Sequence, residues 1–379
     1  MSKIAVGVSE KYDVTVLTHK VAEMLDALGA ENGIRPGMKV VLKPNLITDK
    51  NPFFAVTTHP AVVEAVADWL ISKGITDITL ADSPGGALSA MPGFSFEELY
   101  KATGFDRLKN KMKLNTDPGW KTVPAPDGCH NKKFNILNVI ADADIVINIP
   151  KLKTHNLTAF SFGVKNLFGC IPDIQKPAFH AKYPQESAFA QMLTELAMTV
   201  KPYLTVIDAV DIIEGNGPIY GTKRNMGMLF ASDDVFSLDA FLAKKLIANS
   251  DSTQLICAAK NKKLLSTPEF VYGSAECLDG VQPLILPDSK LAATGYSKIG
   301  SLIKNGISKL YRDLTVAEPF IDPVKCTKCG RCVLSCPQKA ISIEKNAVID
   351  HAVCINCLCC NEVCPSGAAD CRTKLKIKN

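Results

Sequence analysis

The sequence predicts a large N-terminal α/β domain with a mostly parallel sheet, followed by a small cysteine-rich domain. Residues 1 to about 280 alternate short β-branched runs with amphipathic stretches, as parallel strands covered by helices do. Ten of the 14 cysteines fall between Cys326 and Cys371. A chain of 379 residues can hold two or three domains. We therefore expect an α/β domain over 1–280, a connector over 281–317 and a second domain over 318–379.

The strand and helix candidates of the first domain follow one another in a regular order. A helix that opens at Pro60 would bury Val62, Val66, Trp69 and Leu70, because proline is tolerated in a first helical turn. Two further helices are predicted near 186–200 and 234–248. The strands are predicted at 3–8, 38–43, 77–82, 144–149, 204–209 and 227–232.

Composition and charge exclude several classes of function. Hydrophobic residues make up 47% and charged residues 21% of the chain, which is typical of a folded globule. The net charge of +5 is small beside that of a nucleic-acid binder, so we expect no nucleic-acid partner. No run of 18 apolar residues and no secretory signal pattern occurs, so we expect a cytoplasmic protein without a membrane partner.

Polar residues gather after the carboxyl ends of the predicted strands, where open α/β sheets bind their ligands. Several of these residues lie beside glycine or proline, which lets a backbone approach a ligand closely. The group consists of Lys43, Asn45, Asp82, Lys151, Lys153, His155, Lys165, Asn166, Asp208, Glu214 and Asn216.

The chemistry of this group predicts a site for a small anionic molecule. Lys43, Lys151, Lys153 and Lys165 could hold phosphate or carboxylate groups. Asn45, Asn166, Glu214 and Asn216 would complete the binding site, and His155, Asp82 or Asp208 would serve as acid or base. Each residue also has a plainer interpretation, as a solvated loop lysine, a capping aspartate or a structural histidine.

The C-terminal cysteines repeat one spacing twice. Cys326, Cys329, Cys332 and Cys336 are followed by Pro337, and Cys354, Cys357, Cys360 and Cys364 are followed by Pro365. This run resembles that of two-cluster 4Fe-4S ferredoxins over about residues 318–379, which implies a small α+β ferredoxin-like domain. In those proteins the fourth cysteine of each motif binds the cluster of the other motif. The resemblance thus implies that Cys364 joins the first three cysteines and that Cys336 joins Cys354, Cys357 and Cys360.

Two structural zinc sites are the alternative, since thiolates also bind zinc. Closed zinc sites need only four cysteines and give no reason for a third cysteine at CxxC spacing in each motif or for the trailing proline. We interpret Cys359, inside the second motif, as a spare thiol, with a perturbation of the cluster environment as the alternative. Cys371 is expected to be a non-ligand.

The N-terminal part resembles the family called domain of unknown function 362. The resemblance rests on VVLKPNLI, TTHP, ADIVINIPKLKTH, EGNGP and KNLFG with the nearby Lys176 and His180, over about residues 1–260. Members of that family are often fused to ferredoxin-type clusters. The resemblance implies an architecture but no substrate.

Three functions follow from these observations. The first is an iron-sulfur oxidoreductase that takes electrons from a soluble redox partner and passes them to an anionic substrate or cofactor. The second is an electron-transfer protein whose large domain docks a partner enzyme. The third is a non-redox ligand-binding or isomerising enzyme with structural or sensing clusters. No dinucleotide or Walker A pattern occurs, so the identity of any organic cofactor stays open.

Overall fold

A mixed sheet is the centre of the N-terminal domain in the computed structural model, which describes residues 1–288 and 315–375. Its strand order is β12-β1-β11-β10-β7-β2-β3-β4, with β8 paired to β10 and β9, while β5 and β6 form a separate hairpin. The strands are β1 (Ser2–Val8), β2 (Lys39–Pro44), β3 (Asp77–Leu80), β4 (Lys113–Leu114), β5 (Trp120–Pro124), β6 (Lys133–Leu137), β7 (Ile145–Ile149), β8 (Lys151–His155), β9 (Ala159–Ser161), β10 (Leu204–Glu214), β11 (Thr222–Ser232) and β12 (Pro268–Tyr272).

Helices cover both faces of this sheet and create two apolar cores. Side chains alternate across a strand, so Val40 and Leu42 of β2 enter one core and Val41 enters the other. Helices α1 and α2 pack on the first face, whereas α7, α8 and α9 pack on the second. The helices are α1 (Val14–Ala27), α2 (Pro60–Ser72), α3 (Phe96–Ala102), α4 (Asn138–Ala141), α5 (Gly163–Asn166), α6 (Lys176–Lys182), α7 (Glu186–Val200), α8 (Val235–Leu246) and α9 (Gln254–Asn261).

The predicted strands and helices of this domain are confirmed, and most pairings in the sheet are parallel. Two strands are longer than predicted, because β10 and β11 form an antiparallel hairpin that continues beyond the sheet to Glu214 and Thr222. The sequence pattern also missed β8, which follows β7 after the single residue Pro150 and carries Lys151, Lys153 and His155.

The C-terminal domain is a small α+β unit. Strands β13 (Thr315–Ile321) and β16 (Ala369–Leu375) pair antiparallel, and β14 (Ile341–Ile343) pairs with β15 (Ala347–Ile349). The two cysteine motifs lead into short helices, α10 (Arg331–Ser335) and α11 (Cys359–Val363), which pack together. Residues 289–314 of the predicted connector lie outside the described residues.

The small domain docks at the carboxyl edge of the large sheet. Arg331 donates to both carboxylate oxygens of Asp49, at 3.2 and 2.8 Å. Asn156 donates to the Asn361 side chain at 2.9 Å. Gly86 leaves room for this contact, because a Cβ there would lie 2.1 Å from Val363 Cγ1. In the described part of the chain, no helix has the length and apolar character needed to span a membrane.

Candidate functional site

A cavity of about 560 Å³ lies where the strand ends of the large domain meet helix α11 of the small one. We call it the cationic pocket, because three lysines reach its wall and Lys43 stands directly behind. Its charged and imidazole lining consists of Asp82, Lys153, His155, Lys165, Lys176, His180 and Glu362. Its neutral lining includes Asn45, Ser83, Ser161, Asn166, Phe168, Pro177, Pro218 and Cys359.

Strand β8 supplies two of the polar side chains. A strand repeats every two residues, so Lys153 and His155 project from the same face. Lys153 is fully buried and donates to Asn45 Oδ1 at 3.0 Å and to Val56 O at 2.8 Å. Asn45 in turn donates to Asn166 Oδ1 at 3.0 Å, which ties three pocket residues together.

Two further lysines come from the segment between β9 and α7. Lys176 donates to the carbonyl oxygens of Ser83 and Pro84, each at 2.7 Å. Lys165 is 6% exposed and has no hydrogen-bond or ion-pair partner among residues 1–288 and 315–375. Its ammonium group lies 5.2 Å from the centroid of the Phe168 ring. Lys165 is therefore the pocket lysine that is available to a ligand.

Burial and mutual repulsion destabilise the charged form of these lysines. Burial, reinforced by the Lys165 charge, lowers the pKa of Lys153 to about 7. Burial also lowers the pKa of Lys176 to about 8 and that of Lys165 below its usual value. The pocket thus concentrates positive charge that its own carboxylates do not fully balance.

Glu362 of α11 brings a carboxylate from the small domain into the pocket. Its Oε1 lies 3.0 Å from His155 Nε2. Burial would raise the pKa of Glu362, but the charge of Lys165 and the contact with the His155 N–H outweigh burial and hold this pKa well below its usual range. The carboxylate is thus held in its charged form beside the lysines.

The two histidines are buried and neutral. Burial lowers the pKa of both His155 and His180 to about 4. His155 Nδ1 accepts from the backbone N–H of Leu157 and Thr158, so the ring proton belongs on Nε2, which faces Glu362. His180 stacks on Phe189 at 4.5 Å, and its Nδ1 has no hydrogen-bond partner in the described part of the chain.

Several residues of the predicted site lie elsewhere. Lys151 Nζ is 2.9 Å from Asp208 Oδ2, and this fully buried pair is locked by Tyr12 rather than open to the pocket. Asp208 also accepts from the backbone N–H of His59 at 2.9 Å. These contacts hold Lys151 and Asp208 in a buried structural network outside the pocket.

The polar residues at the end of β10 and in the loop after it also pair outside the pocket. Glu214 pairs with Arg224 at 3.1 Å, and Asn216 donates to Asp288 at 3.0 Å. From this loop Pro218 reaches the pocket wall instead. Lys43 is close to the pocket but lies behind it, with its Nζ 2.7 Å from Asp82 Oδ1.

The C-terminal cysteines surround two cavities of about 310 and 330 Å³. The first cavity is lined by a set that we call ring 1: Cys326, Cys329, Cys332 and Cys364. The second is lined by a set that we call ring 2: Cys336, Cys354, Cys357 and Cys360. Each ring takes its fourth cysteine from the other motif, as the ferredoxin resemblance implies. Four thiols around an apolar-walled cavity suit an iron-sulfur cubane, which needs room between its ligands.

The backbone of the two motifs has turns and N–H···S hydrogen bonds that favour thiolate ligands. Lys328 and Gly330 of the first motif and Asn356 and Leu358 of the second have φ between 54° and 78°, so both loops turn in the same way. Backbone N–H groups donate to cysteine sulfurs from Ala340 at 3.2 Å and from Ala369 at 3.4 Å. Such N–H···S bonds stabilise negative sulfur and tune iron-sulfur potentials.

Cys359 lies between ring 2 and the cationic pocket. It is 4% exposed and lines both cavities, so one residue forms part of the wall on either side. Spacing alone left this cysteine without a ligand role. Its position gives it a different role, as part of the partition between the two sites.

Comparison with known proteins agrees with this two-part construction. Residues 40–244 match the family described as domain of unknown function (DUF362), a span that covers more than half of the chain. The chain belongs to the DUF362 family. Residues 325–368 of this DUF362 protein match a 4Fe-4S dicluster domain, so its small domain is of the iron-sulfur ferredoxin type.

Relatives of the DUF362 protein resemble either part of it. A thylakoid-associated protein of Synechocystis is 34% identical over 235 residues, which are 61% of this chain and 70% of the relative. The pyruvate synthase subunit PorD of Methanocaldococcus jannaschii is 37% identical over 73 residues, covering 18% of this chain and 78% of that subunit. The lactate racemase apoprotein of Thermoanaerobacterium thermosaccharolyticum aligns with a TM-score of 0.36 and 14% identity over 61% of this chain and 54% of its own.

The sequence pattern did not indicate Glu362 or the place of Cys359, because both lie inside a motif whose four regularly spaced cysteines already accounted for it as a cluster site. The family resemblance included Lys176 and His180 but assigned them no role. A charged residue two positions after a ligand cysteine, on the same short helix, was the available signal for Glu362.

Proposed function

We propose that this DUF362 protein is an iron-sulfur oxidoreductase that carries low-potential electrons to an anionic substrate or cofactor in the cationic pocket. The observation that carries the proposal is the position of Cys359, which lines both the ring 2 cavity and the pocket. A cysteine ring and a ligand site that share one wall suit electron delivery over a short path.

Ring 1 and ring 2 would each hold one [4Fe-4S] cluster, which supplies one-electron transfer when bound. Cys329 of ring 1 is exposed, and Val324 beside that motif is 93% exposed. This face is the one that a soluble redox partner can reach. Ring 2 contains the buried Cys357 and Cys360 and lies next to the pocket. The direction of transfer is thus from the ring 1 face towards the pocket.

Within the pocket, the lysines bind the anion and the imidazole contributes a hydrogen-bond donor. Lys153, Lys165 and Lys176 attract and orient the anion, with Asn45 and Asn166 holding Lys153 in place. His155 is neutral and carries its proton on Nε2, so this N–H can donate a hydrogen bond to Glu362 or to the bound anion. Asp82 lines the pocket with Lys43 behind it and is the candidate for proton exchange.

An anaerobic purification tests this proposal. Iron, sulfide and zinc are assayed, and small molecules released on denaturation are identified by mass spectrometry. We expect about eight irons per chain, equal sulfide, and a released anion or reoxidation of the reduced protein by an added anion. Two zincs without sulfide would contradict cluster binding altogether.

The second candidate is an electron carrier whose large domain docks a partner enzyme. The observation that favours it is the likeness of the small domain to PorD, a subunit of a larger enzyme. This candidate predicts full iron and sulfide but no bound anion. Reduced protein would then be reoxidised only by a protein partner.

A further inference from the structure

The charged groups of the cationic pocket do not balance. The ammonium groups of Lys43, Lys153, Lys165 and Lys176 face two carboxylates, those of Asp82 and Glu362. His155 and His180 are neutral at physiological pH, because burial lowers the pKa of both to about 4. When all four lysines are protonated, these groups carry an excess of two positive charges, which Asp173, outside the pocket lining but close to Lys176, reduces to one.

Buried charges are costly unless an opposite charge compensates them. Lys43 is paired with Asp82 at 2.7 Å, and Lys153 and Lys176 are held by amide or carbonyl oxygens. Lys165 has neither type of partner in residues 1–288 and 315–375, although it is only 6% exposed. His180 Nδ1 is a buried polar atom without a hydrogen-bond partner there. Both line the same cavity.

We propose that the pocket binds a small organic dianion, a dicarboxylate or a phosphate monoester, with Lys165 as its principal charge partner. The proposal deepens the proposed function by naming the chemical class of its ligand, and it rests on that function only for the use made of the ligand. The pocket combines these lysines with apolar lining in one space of about 560 Å³ that includes solvent at its mouth. Phe168, Pro177 and Pro218 offer apolar walls for a carbon skeleton.

A bound dianion would also offset the repulsion among the positive charges of the lysines. Burial and neighbouring positive charge lower the pKa of Lys153 to about 7, so this amine is mostly neutral at pH 8. An anion beside it favours the ammonium form. Binding at pH 8 is therefore expected to take up protons, which a simple surface ion pair would not cause.

The competing use of these lysines is to compensate the negative charge of a cluster in ring 2, across Cys359. The two uses predict different results for Lys165→Met. If Lys165 serves the ligand, the variant loses dianion affinity. If it serves only the cluster, the variant shifts the reduction potential and the intact protein binds no dianion.

The test is calorimetric titration of the anaerobically purified full-length protein with succinate, glycerol phosphate, inorganic phosphate and acetate. Titrations at pH 8 in two buffers of different ionisation enthalpy measure proton uptake. We expect succinate or glycerol phosphate to bind at least tenfold more tightly than acetate, and Lys165→Met to weaken binding about 30-fold or more. The two dianions distinguish a carboxylate from a phosphate ligand.

Lys182→Met is the matched control, because Lys182 is an exposed lysine of α6 and its loss changes the net charge equally. We expect it to leave affinity unchanged. Lys165→Gln and a melting curve of each variant show whether any loss of affinity reflects unfolding. Equal affinity for acetate, no binding of either organic dianion, or unchanged affinity in Lys165→Met would each overturn the proposal.

Failure of the proposed redox function would give a different experimental result from failure of dianion binding. Dianion binding that depends on Lys165, in protein whose clusters do not exchange electrons with the bound ligand, would leave the ligand class standing and remove the oxidoreductase. Cluster assembly and electron uptake without dianion binding would do the opposite.

Discussion

The buried pair Lys151–Asp208 gives the sharpest test of which strand-end residues are structural. Both side chains are 0% exposed, and Lys151 Nζ lies 2.9 Å from Asp208 Oδ2. Replacement of Asp208 by asparagine keeps the shape but leaves the lysine charge unpaired. We expect this single change to destabilise the large domain rather than to remove a catalytic group.

The expected loss of stability follows from the distance between the two charges. Two unit charges 2.9 Å apart attract by about 6 kcal/mol at an effective dielectric constant of about 20. Part of this is retained, because Lys151 still donates to Tyr12 and can lose its proton. Removal of one partner of a buried pair typically costs about 3–5 kcal/mol, and we expect Asp208→Asn to fall in that range.

The double variant Lys151→Met/Asp208→Asn is the internal control. It removes both charges, so it should recover most of the loss, since replacing both members of a buried pair is often close to neutral. Urea unfolding followed by tryptophan fluorescence measures these changes in the large domain, because both tryptophans, Trp69 and Trp120, lie there.

An unfolding free energy of Asp208→Asn within about 1 kcal/mol of the wild type would refute this reasoning. If that stable variant had also lost anion binding or turnover, Asp208 would regain the acid or base role that its place after a strand suggested. A double variant as unstable as the single one would show that shape, and not unpaired charge, is responsible.

Three further changes test the small domain, its docking and the pH dependence. Cys364→Ser should lower iron from about eight to about four per chain, because ring 1 loses a ligand, whereas Cys371→Ser should retain about eight. Equal iron losses in the two variants would contradict the assignment of Cys364 as a ligand and Cys371 as a non-ligand. Gly86→Val should undock the small domain, because a Cβ there lies 2.1 Å from a valine methyl. Limited proteolysis measures the undocking, and we expect faster cleavage between the domains in the variant than in the wild type. An unchanged rate of cleavage would count against this prediction. Burial opposes ionisation of Glu195, but hydrogen bonds from residues 130–131 lower its pKa to about 2, below its unfolded value. The stability that the Glu195 carboxylate contributes is thus complete above about pH 5 and is lost as the pH falls towards 2. Glu195→Gln should lower the free energy of unfolding in urea by about 2–4 kcal/mol at pH 7 and by less at pH 3. The same difference from wild type at both pH values would disprove the assignment.

Local sequence signals determined the elements and the cysteine chemistry of this protein. The repeated cysteine spacing implied which thiols share a ring, because a tight loop can present three ligands but a fourth must come from the other motif. Hydrophobic periodicity located the main strands and the helix at Pro60, because burial of one face requires it. The strand-end position of Lys153 and His155 likewise predicted that they share a site, and both side chains line the cationic pocket.

Only the tertiary structure decided how these parts combine. Lys151 and Lys153 are two residues apart on one strand and look alike in sequence, yet Asp208 pairs with the first and the pocket receives the second. Glu362 and Cys359 enter the pocket because α11 docks against the sheet edge, a contact between residues some 200 positions apart, as in the bond from Asn156 to Asn361. Sequence spacing describes neighbours along the chain, whereas charge balance in a buried site depends on neighbours in space.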